Sequence, residues 1–328
     1  NAFGALPIQR IPLEDAVRLL RKAYDNGFTY FDSAAAYSDS EQKLGAAFGE
    51  LPRDSFVIAT KTMSADVEGF WKQLHNSLKT LRTDYIDVYQ FHNPGVILRP
   101  GDSTGLYDAM LEARTQGKIR FISFTNHRAD IAEEGVKSGL YDTLQFPFSY
   151  LSGERDIALA KLCKERNVGF VAMKALSGGL ITNSAAAYAW LDQFDGVLPI
   201  WGIQRENELD EFIALTANPA KLTPELQAEI ERDRAELAGN FCRGCGYCMP
   251  TCPAKIQIAT AARMSQLIRR SPSAGLLAEF GQNMMRQIND CVECGECTKY
   301  CPYELDTPAL LKRNLADYEN IIAGKTAI

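Results

Sequence analysis

The amino-acid sequence predicts an α/β chain: a (β/α)8 barrel over residues 1–216, a linker helix over 217–240 and a small, cysteine-rich α+β domain over 241–328. Three observations lead there. Short apolar runs alternate with longer segments of helical spacing through the first 215 residues, the pattern of a parallel sheet covered by helices. Eight such repeats, with no Gly-x-Gly-x-x-Gly turn after an early strand, favour a sheet that closes on itself over an open doubly wound one. Past residue 216 that rhythm stops, and eight of the nine cysteines follow in two short runs.

Taken in order, "AFGAL" at residues 2–6 supplies the first strand. Because the chain opens on Asn1 rather than Met, in what reads as mid-strand, this strand is expected to be incomplete. The first helix follows at "LEDAVRLLRKAYDNG", where Ala16, Leu19, Leu20, Ala23 and Tyr24 recur at intervals of three or four and Asn26-Gly27 stops the helix. The remaining strands are read at "FTYFDSA", "FVIATKT", "IDVYQFHN", "IRFISFTN", "TLQFPFS", "GFVAMKA" and "GVLPIWGIQ". "TANPAKLTPELQAEIERDRAEL" then leaves the barrel and enters a helix at Thr223-Pro224, with Pro at the first helical position. No run of about eighteen apolar residues occurs and the start lacks a basic-then-apolar pattern, so neither a membrane span nor a secretory leader is expected. A net charge of −6 argues against a nucleic-acid partner.

The cysteines carry the most specific signal. In "FCRGCGYCMPTCP", Cys242, Cys245, Cys248 and Cys252 give C-x2-C-x2-C-x3-C-P, and Cys291, Cys294, Cys297 and Cys301 repeat it before Pro302. Clustering of this kind indicates metal ligation in a reducing compartment, hence a cytoplasmic protein, rather than disulfides. The spacing is that of bacterial two-cluster ferredoxins, in which the fourth cysteine of each run ligates the other cluster. The domain is therefore read as ferredoxin-like, with one 4Fe-4S cluster on Cys242, Cys245, Cys248 and Cys301 and a second on Cys291, Cys294, Cys297 and Cys252. Zinc, which is usually held by pairs of cysteines, is the weaker alternative. Gly244, Gly246 and Gly295 let backbone N–H groups approach the sulfides. The ninth cysteine, Cys163 in "IALAKLCKERN", is read as a small buried hydrophobe. Arg263, Arg269 and Arg270 lie between the runs, on a face suited either to an acidic electron carrier or simply to solvent.

Chemistry in such a barrel sits at the C-terminal ends of the strands. Asp32, Lys61 and His92 end three strands, and Tyr37 lies in the loop after the first of them. A carbonyl accepting hydride develops charge on oxygen and needs a proton; Tyr37 can give it if Lys61 lowers the phenol's pKa, Asp32 keeps the lysine charged and His92 orients the oxygen. "FDSAAAYSDSEQKLG", "IATKT", "YQFHNP", "GKIRFISFTN" and "LQFPFSY" resemble the aldo-keto reductases over roughly residues 1–215. The resemblance implies that Asp32, Tyr37, Lys61 and His92 form a catalytic tetrad and that NADP(H) or NAD(H) lies across the same mouth. It also implies that Thr125 and Asn126 contact the carboxamide, where relatives have Ser-Asn, and that Gln145 has a similar task. Asn126 and Gln145 also read as polar caps of buried strand ends. Met173 stands where many relatives stack a Tyr on the ring. Ser177, Gly178 and Gly179 are expected to present N–H groups to a pyrophosphate, and Gln204 and Arg205 to reach a phosphate.

A hydride carries two electrons and each cubane passes one, so the halves need an intermediary. Three readings follow: a carbonyl reductase or alcohol dehydrogenase whose clusters connect it, through a flavin or a radical-tolerant substrate, to an electron-transfer protein; an ordinary reductase with structural clusters; or an electron-transfer subunit, or ferredoxin- or flavin-dependent reductase, whose barrel makes no use of NAD(P)H. The intact tetrad favours an enzyme acting on a small-molecule carbonyl or alcohol.

Overall fold

The computed structural model describes residues 2–328; Asn1, on which the reading of an incomplete first strand depends, lies outside the described residues. The chain divides into two compact units, one of residues 1–176 and 183–223, the other of residues 177–182 and 224–328. Helix α9 (Pro224–Leu237), read from sequence as a linker, and the six residues 177–182 thus group with the second unit.

The first unit is a closed barrel of eight parallel strands in sequence order. The strands are β1 (Ala2–Gly4), β2 (Tyr30–Asp32), β3 (Val57–Thr62), β4 (Ile86–His92), β5 (Ile119–Thr125), β6 (Thr143–Pro147), β7 (Gly169–Met173) and β8 (Val197–Gly202). They alternate with α1 (Leu13–Asp25), α2 (Ser40–Phe48), α3 (Val67–Leu81), α4 (Leu106–Thr115), α5 (Ala129–Ser138), α6 (Glu154–Glu165), α7 (Ser184–Leu191) and α8 (Glu206–Ala217). Closure is made by β1, which pairs β2 on one side (Gly4 with Asp32) and β8 on the other (Gly4 with Gly202). Each strand read from the sequence is present, because β-branched and aromatic runs bounded by Gly, Asn or Asp suit a sheet buried on both faces.

Local chemistry fixes the helices. Leu19, Leu20 and Ala23 bury one face of α1, and Asn26 caps it before Gly27, whose φ of 85° is a conformation glycine adopts at little cost. Asp66 caps α3 by accepting from Gly69 N at 2.7 Å. Helices α2 and α3 pack so closely that a Cβ on Gly45 would stand 2.2 Å from the Thr80 carbonyl oxygen, so only glycine fits there.

The second unit departs from the α+β expectation: among its described residues there are helices and loops and no strand. The reason lies in composition. Glycine, proline and cysteine dominate the two runs and leave no alternating apolar pattern, while the segment between them has helical spacing. Its helices after α9 are α10 (Ile258–Ala261), α11 (Met264–Arg270), α12 (Ala274–Leu277), α13 (Glu279–Arg286), α14 (Glu296–Lys299) and α15 (Thr307–Ile322). Helix α15 starts at the Asp306 cap, which accepts from Ala309 N at 3.1 Å, and buries Leu310, Leu311, Leu315, Tyr318 and Ile321 in one core with Ile256, Ile258, Met264, Ile268 and Met285. Arg269 forks onto Asp317 at 2.8 and 3.0 Å, and Ser265 donates to the same carboxylate. That residue is a tie between α11 and α15 rather than part of a free docking face.

Candidate active site and cluster loops

Asp32 is the hub of the barrel site. Its carboxylate accepts from Lys61 Nζ at 2.6 Å, from Gln145 Nε2 at 3.3 Å and from Gln90 Nε2 at 3.2 Å, so β3, β6 and β4 all donate to the end of β2. Asp32 and Lys61 are 2 % and 1 % exposed. A buried ion pair persists only when its remaining hydrogen-bonding capacity is filled, and here the Ser33 carbonyl takes a further Nζ hydrogen at 2.5 Å.

Tyr37 and His92 flank this pair. The Lys61 ammonium stands 5.2 Å from the centre of the Tyr37 ring, and the Tyr37 and His92 rings meet edge to face at 5.8 Å. The four residues expected to act together therefore converge. The electrostatics differ from expectation in one respect: the Tyr37 phenol is held above its ordinary pKa, first by burial and then by the Asp32 charge. Lys61 hydrogen-bonds Asp32 and Ser33 rather than the phenol. Burial and the Lys61 charge lower the His92 pKa to about 3, so the imidazole is neutral at physiological pH. Its Nδ1 is buried without a hydrogen-bond partner.

The expected nucleotide contacts are placed as follows. Gln145 turns its amide nitrogen to Asp32 and leaves Oε1 buried and unpartnered. Thr125 Oγ1 accepts from Asn93 N at 3.0 Å. Asn126 is fully buried, donates to the Pro94 carbonyl and accepts from Arg128 N, so it shapes its own loop. Met173 ends β7 half-buried beside Val171 and Ile200. Gln204 Oε1 is buried without a partner, whereas Arg205 is exposed and lies 3.8 Å from Glu208. Ser177, Gly178 and Gly179 belong to the second unit, where a Cβ on Gly178 would meet Gln266 at 3.3 Å and one on Gly179 would meet Arg270 at 3.4 Å.

Sequence reasoning missed Gln90. The available signal was its position two residues before His92 on β4, since alternate residues of a strand share a face. It also missed Glu41, a buried carboxyl bonded to Thr60 at 2.6 Å, whose pKa burial raises. Cys163 is fully buried as expected, its thiol pushed up to about 12 by burial.

In the second unit the cysteines fall into two electrostatic groups. The Cys245 and Cys248 thiols are raised by burial and then by each other's neighbours, Cys242 and Cys301, while Cys297 is raised by burial and by Cys291 and Cys252. A small cavity is lined by Cys252, Cys291, Cys294 and Cys297. These groups match the crossed ligand sets expected of two cubanes. No three His, Cys, Asp or Glu side chains among the described residues meet at one point as ligands of a single ion would; a cubane distributes its thiolates over separate irons. Backbone N–H groups of Tyr247 and Thr298 point at the Cys245 and Cys297 sulfurs, the donors a sulfur carrying charge requires.

Residues 2–189 match the Aldo/keto reductase family, and residues 241–306 match a 4Fe-4S dicluster domain. The chain belongs to the aldo/keto reductase family. It is 30% identical over 180 residues to the aldo-keto reductase YhdN of Bacillus subtilis (strain 168), covering 51% of this chain and 54% of that one. It is 27% identical over 188 residues to the NADH-specific methylglyoxal reductase of Escherichia coli (strain K12), covering 50% and 57%. The chain thus spans about half the length of the curated relatives it matches. In fold it is similar to an aldo-keto reductase from Klebsiella pneumoniae solved in complex with NADPH, with a TM-score of 0.61 and 23% identity over 70% of this chain and 89% of that one. No helix among the described residues is long and apolar enough to cross a membrane.

Proposed function

We propose that the barrel reduces a small carbonyl compound, with Tyr37 as the proton donor, and that the eight clustered cysteines hold two 4Fe-4S clusters. The observation that carries the first part is the buried Lys61–Asp32 pair at 2.6 Å against the Tyr37 ring. When bound, NADPH or NADH supplies the hydride. Tyr37, held protonated by burial and by Asp32, gives its Oη proton to the carbonyl oxygen as the carbon gains hydrogen. The phenolate left behind faces the Lys61 ammonium, which Asp32, Gln90 and Gln145 keep fixed, and regains its proton from water. Neutral His92, with Nδ1 unengaged, is free to hold the substrate oxygen.

The cysteine groups support the second part: Cys242, Cys245, Cys248 and Cys301 hold one cluster, and Cys252, Cys291, Cys294 and Cys297 the other. Each supplies one-electron chemistry when bound, so the unit suits exchange with an electron-transfer partner.

The test uses the holoprotein with a panel of small aldehydes and ketones, methylglyoxal among them, and with NADPH, NADH and reduced viologen as rival donors. Tyr37→Phe is expected to lower the rate by about 10²–10⁴-fold with the brown cluster absorbance unchanged. An unchanged rate in that variant would remove the proton-donor role.

A further inference from the structure

The two cysteine runs are copies of one backbone design displaced by 49 residues, and the copies differ in charge. Counting from the first cysteine of each run, left-handed residues recur at the same offsets: Gly244 and Glu293, Gly246 and Gly295, Lys255 and Glu304. The same displacement carries Cys242 onto Cys291 and Arg263 onto Lys312. Each run therefore has a cation at the equivalent place, the first interacting with Cys242 and Cys245, the second with Cys291.

Between their first two cysteines the copies differ in two neighbouring residues, Arg243 against Val292 and Gly244 against Glu293; Arg243 is buried against the Tyr303 ring, and the second difference decides how the equivalent cations are paired. In the second run Glu293 pairs with Lys312, and both side chains are more than 60 % exposed. That ammonium is already neutralised and screened. In the first run the residue is Gly244, with φ of 76°, and the absent side chain is the space Arg263 fills: a Cβ there would stand 2.7 Å from the guanidinium carbon. Arg263 donates Nε–H to the Ala259 carbonyl at 2.7 Å and has no carboxylate partner among the described residues. A partly buried, unpaired guanidinium is costly to hold unless an anion lies beside it, and the anion that this loop is built to carry is a thiolate-ligated cluster.

We infer that Arg263 sets the reduction potential of the cluster on Cys242, Cys245, Cys248 and Cys301, making it the higher-potential of two unequal cubanes. Reduction adds negative charge to the cluster, and an uncompensated cation at its edge stabilises that charge. The other cluster has the neutralised Lys312 and a largely apolar wall that includes Ile256, Ile258, Pro308 and Leu311, which disfavours added charge. Cys294, on that second cluster, is the exposed cysteine of the eight. An electron entering at Cys294 thus runs downhill to the arginine-flanked cluster.

The inference rests on the reading that the eight cysteines hold two cubanes. Iron and sulfide analysis, with eight of each expected per chain, tests that reading separately. The inference itself is tested by redox titration of the anaerobically purified holoprotein, followed by electron paramagnetic resonance. Two midpoints are expected, separated by at least a tenfold shift in equilibrium, about 59 mV for one electron. Arg263→Gln should lower the higher midpoint by a similar amount and leave the lower one in place, and Arg263→Lys should restore most of the loss. Coincident wild-type midpoints overturn the inference without recourse to a variant. So does a Gln variant that keeps both clusters and both midpoints, or a Lys variant that behaves like Gln.

Discussion

In the barrel, the groups proposed to react are held by the protein's own hydrogen bonds: Asp32 takes donors from three other strands, and Lys61 donates also to the Ser33 carbonyl. In the helical unit, seven of the eight clustered cysteines stand on loops and Cys297 lies in α14, and Cys242, Cys248, Cys252, Cys291 and Cys301 pack against the hydrophobic core that buries Cys297. The first site is tied together by protein side chains; the second is a core with its centre assigned to an inorganic group. Preorganisation therefore comes from the closed sheet in one case and from metal–thiolate bonds in the other. Removing a cofactor should thus have opposite structural consequences in the two regions.

The largest effect follows directly. Chelation of iron under reducing conditions is expected to unfold the segment 241–306 while the barrel remains folded, because metal-binding free energy is folding free energy in a unit of this size. Limited proteolysis of apo- and holoprotein checks it: apoprotein should be cut within the cysteine runs and leave a protected fragment covering 2–223. An apoprotein as resistant as the holoprotein in 241–306 would show that the helical core stands without its clusters, and the contrast between the regions would fail.

The same contrast explains what could be read in advance. The eight strands were legible because each is a short apolar run buried on both faces, and the convergence of Asp32, Tyr37, Lys61 and His92 because barrel geometry collects residues from the ends of strands. The crossed cysteine groups were legible because spacing alone dictates which thiols lie on one face of a cubane. Residues whose role is to donate to another side chain were not. Gln90 and Gln145 look alike in sequence, yet both turn an amide to Asp32, and only three-dimensional register brings strands 58 and 113 residues away to the same carboxylate. The direction of the Tyr37 shift was likewise hidden, since it depends on how deeply the phenol is buried beside Asp32. The absence of strands in the second unit was misjudged because the ferredoxin-like pattern fixes loops and ligands, not what lies between them.

A second prediction tests whether the barrel site is as self-supporting as its hydrogen bonds imply. Asp32→Asn removes the only carboxylate that, among the described residues, is bonded to Lys61, itself 1 % exposed. Truncating one partner of a buried pair costs about 3–5 kcal/mol. The Ser33 carbonyl still holds Nζ, so the lower end is expected. Thermal melting followed by circular dichroism should show the barrel transition lowered, with the iron content intact. A loss well under 1 kcal/mol would mean that Lys61 sheds its proton or finds water, and that the ion pair is not what keeps the site in shape.

The smallest effect, and the sharpest probe of local charge, concerns His92. Its pKa is lowered to about 3 by burial and by the Lys61 ammonium, against an ordinary value near 6.5. Between those two values the unfolded chain binds a proton that the folded barrel refuses, so ∂ΔG/∂pH is positive: the contribution is fully present above pH 6.5 and is lost as pH falls towards 3. The folded protein should therefore show no protonation of this imidazole across the range where enzymes are assayed. The chain has three histidines, so the ring signals are few enough to follow by NMR, and the His92 signal is assigned by its disappearance in His92→Gln. It should stay at its neutral position from pH 8 to pH 5. In a Lys61→Met variant, which removes the second-ranked cause and keeps the first, the signal should begin to move at higher pH but remain below the ordinary value. Titration of His92 near 6.5 in the wild-type barrel would show that water reaches Nδ1 freely, and with it that the mouth of the barrel is less preorganised than the Asp32 hydrogen bonds require.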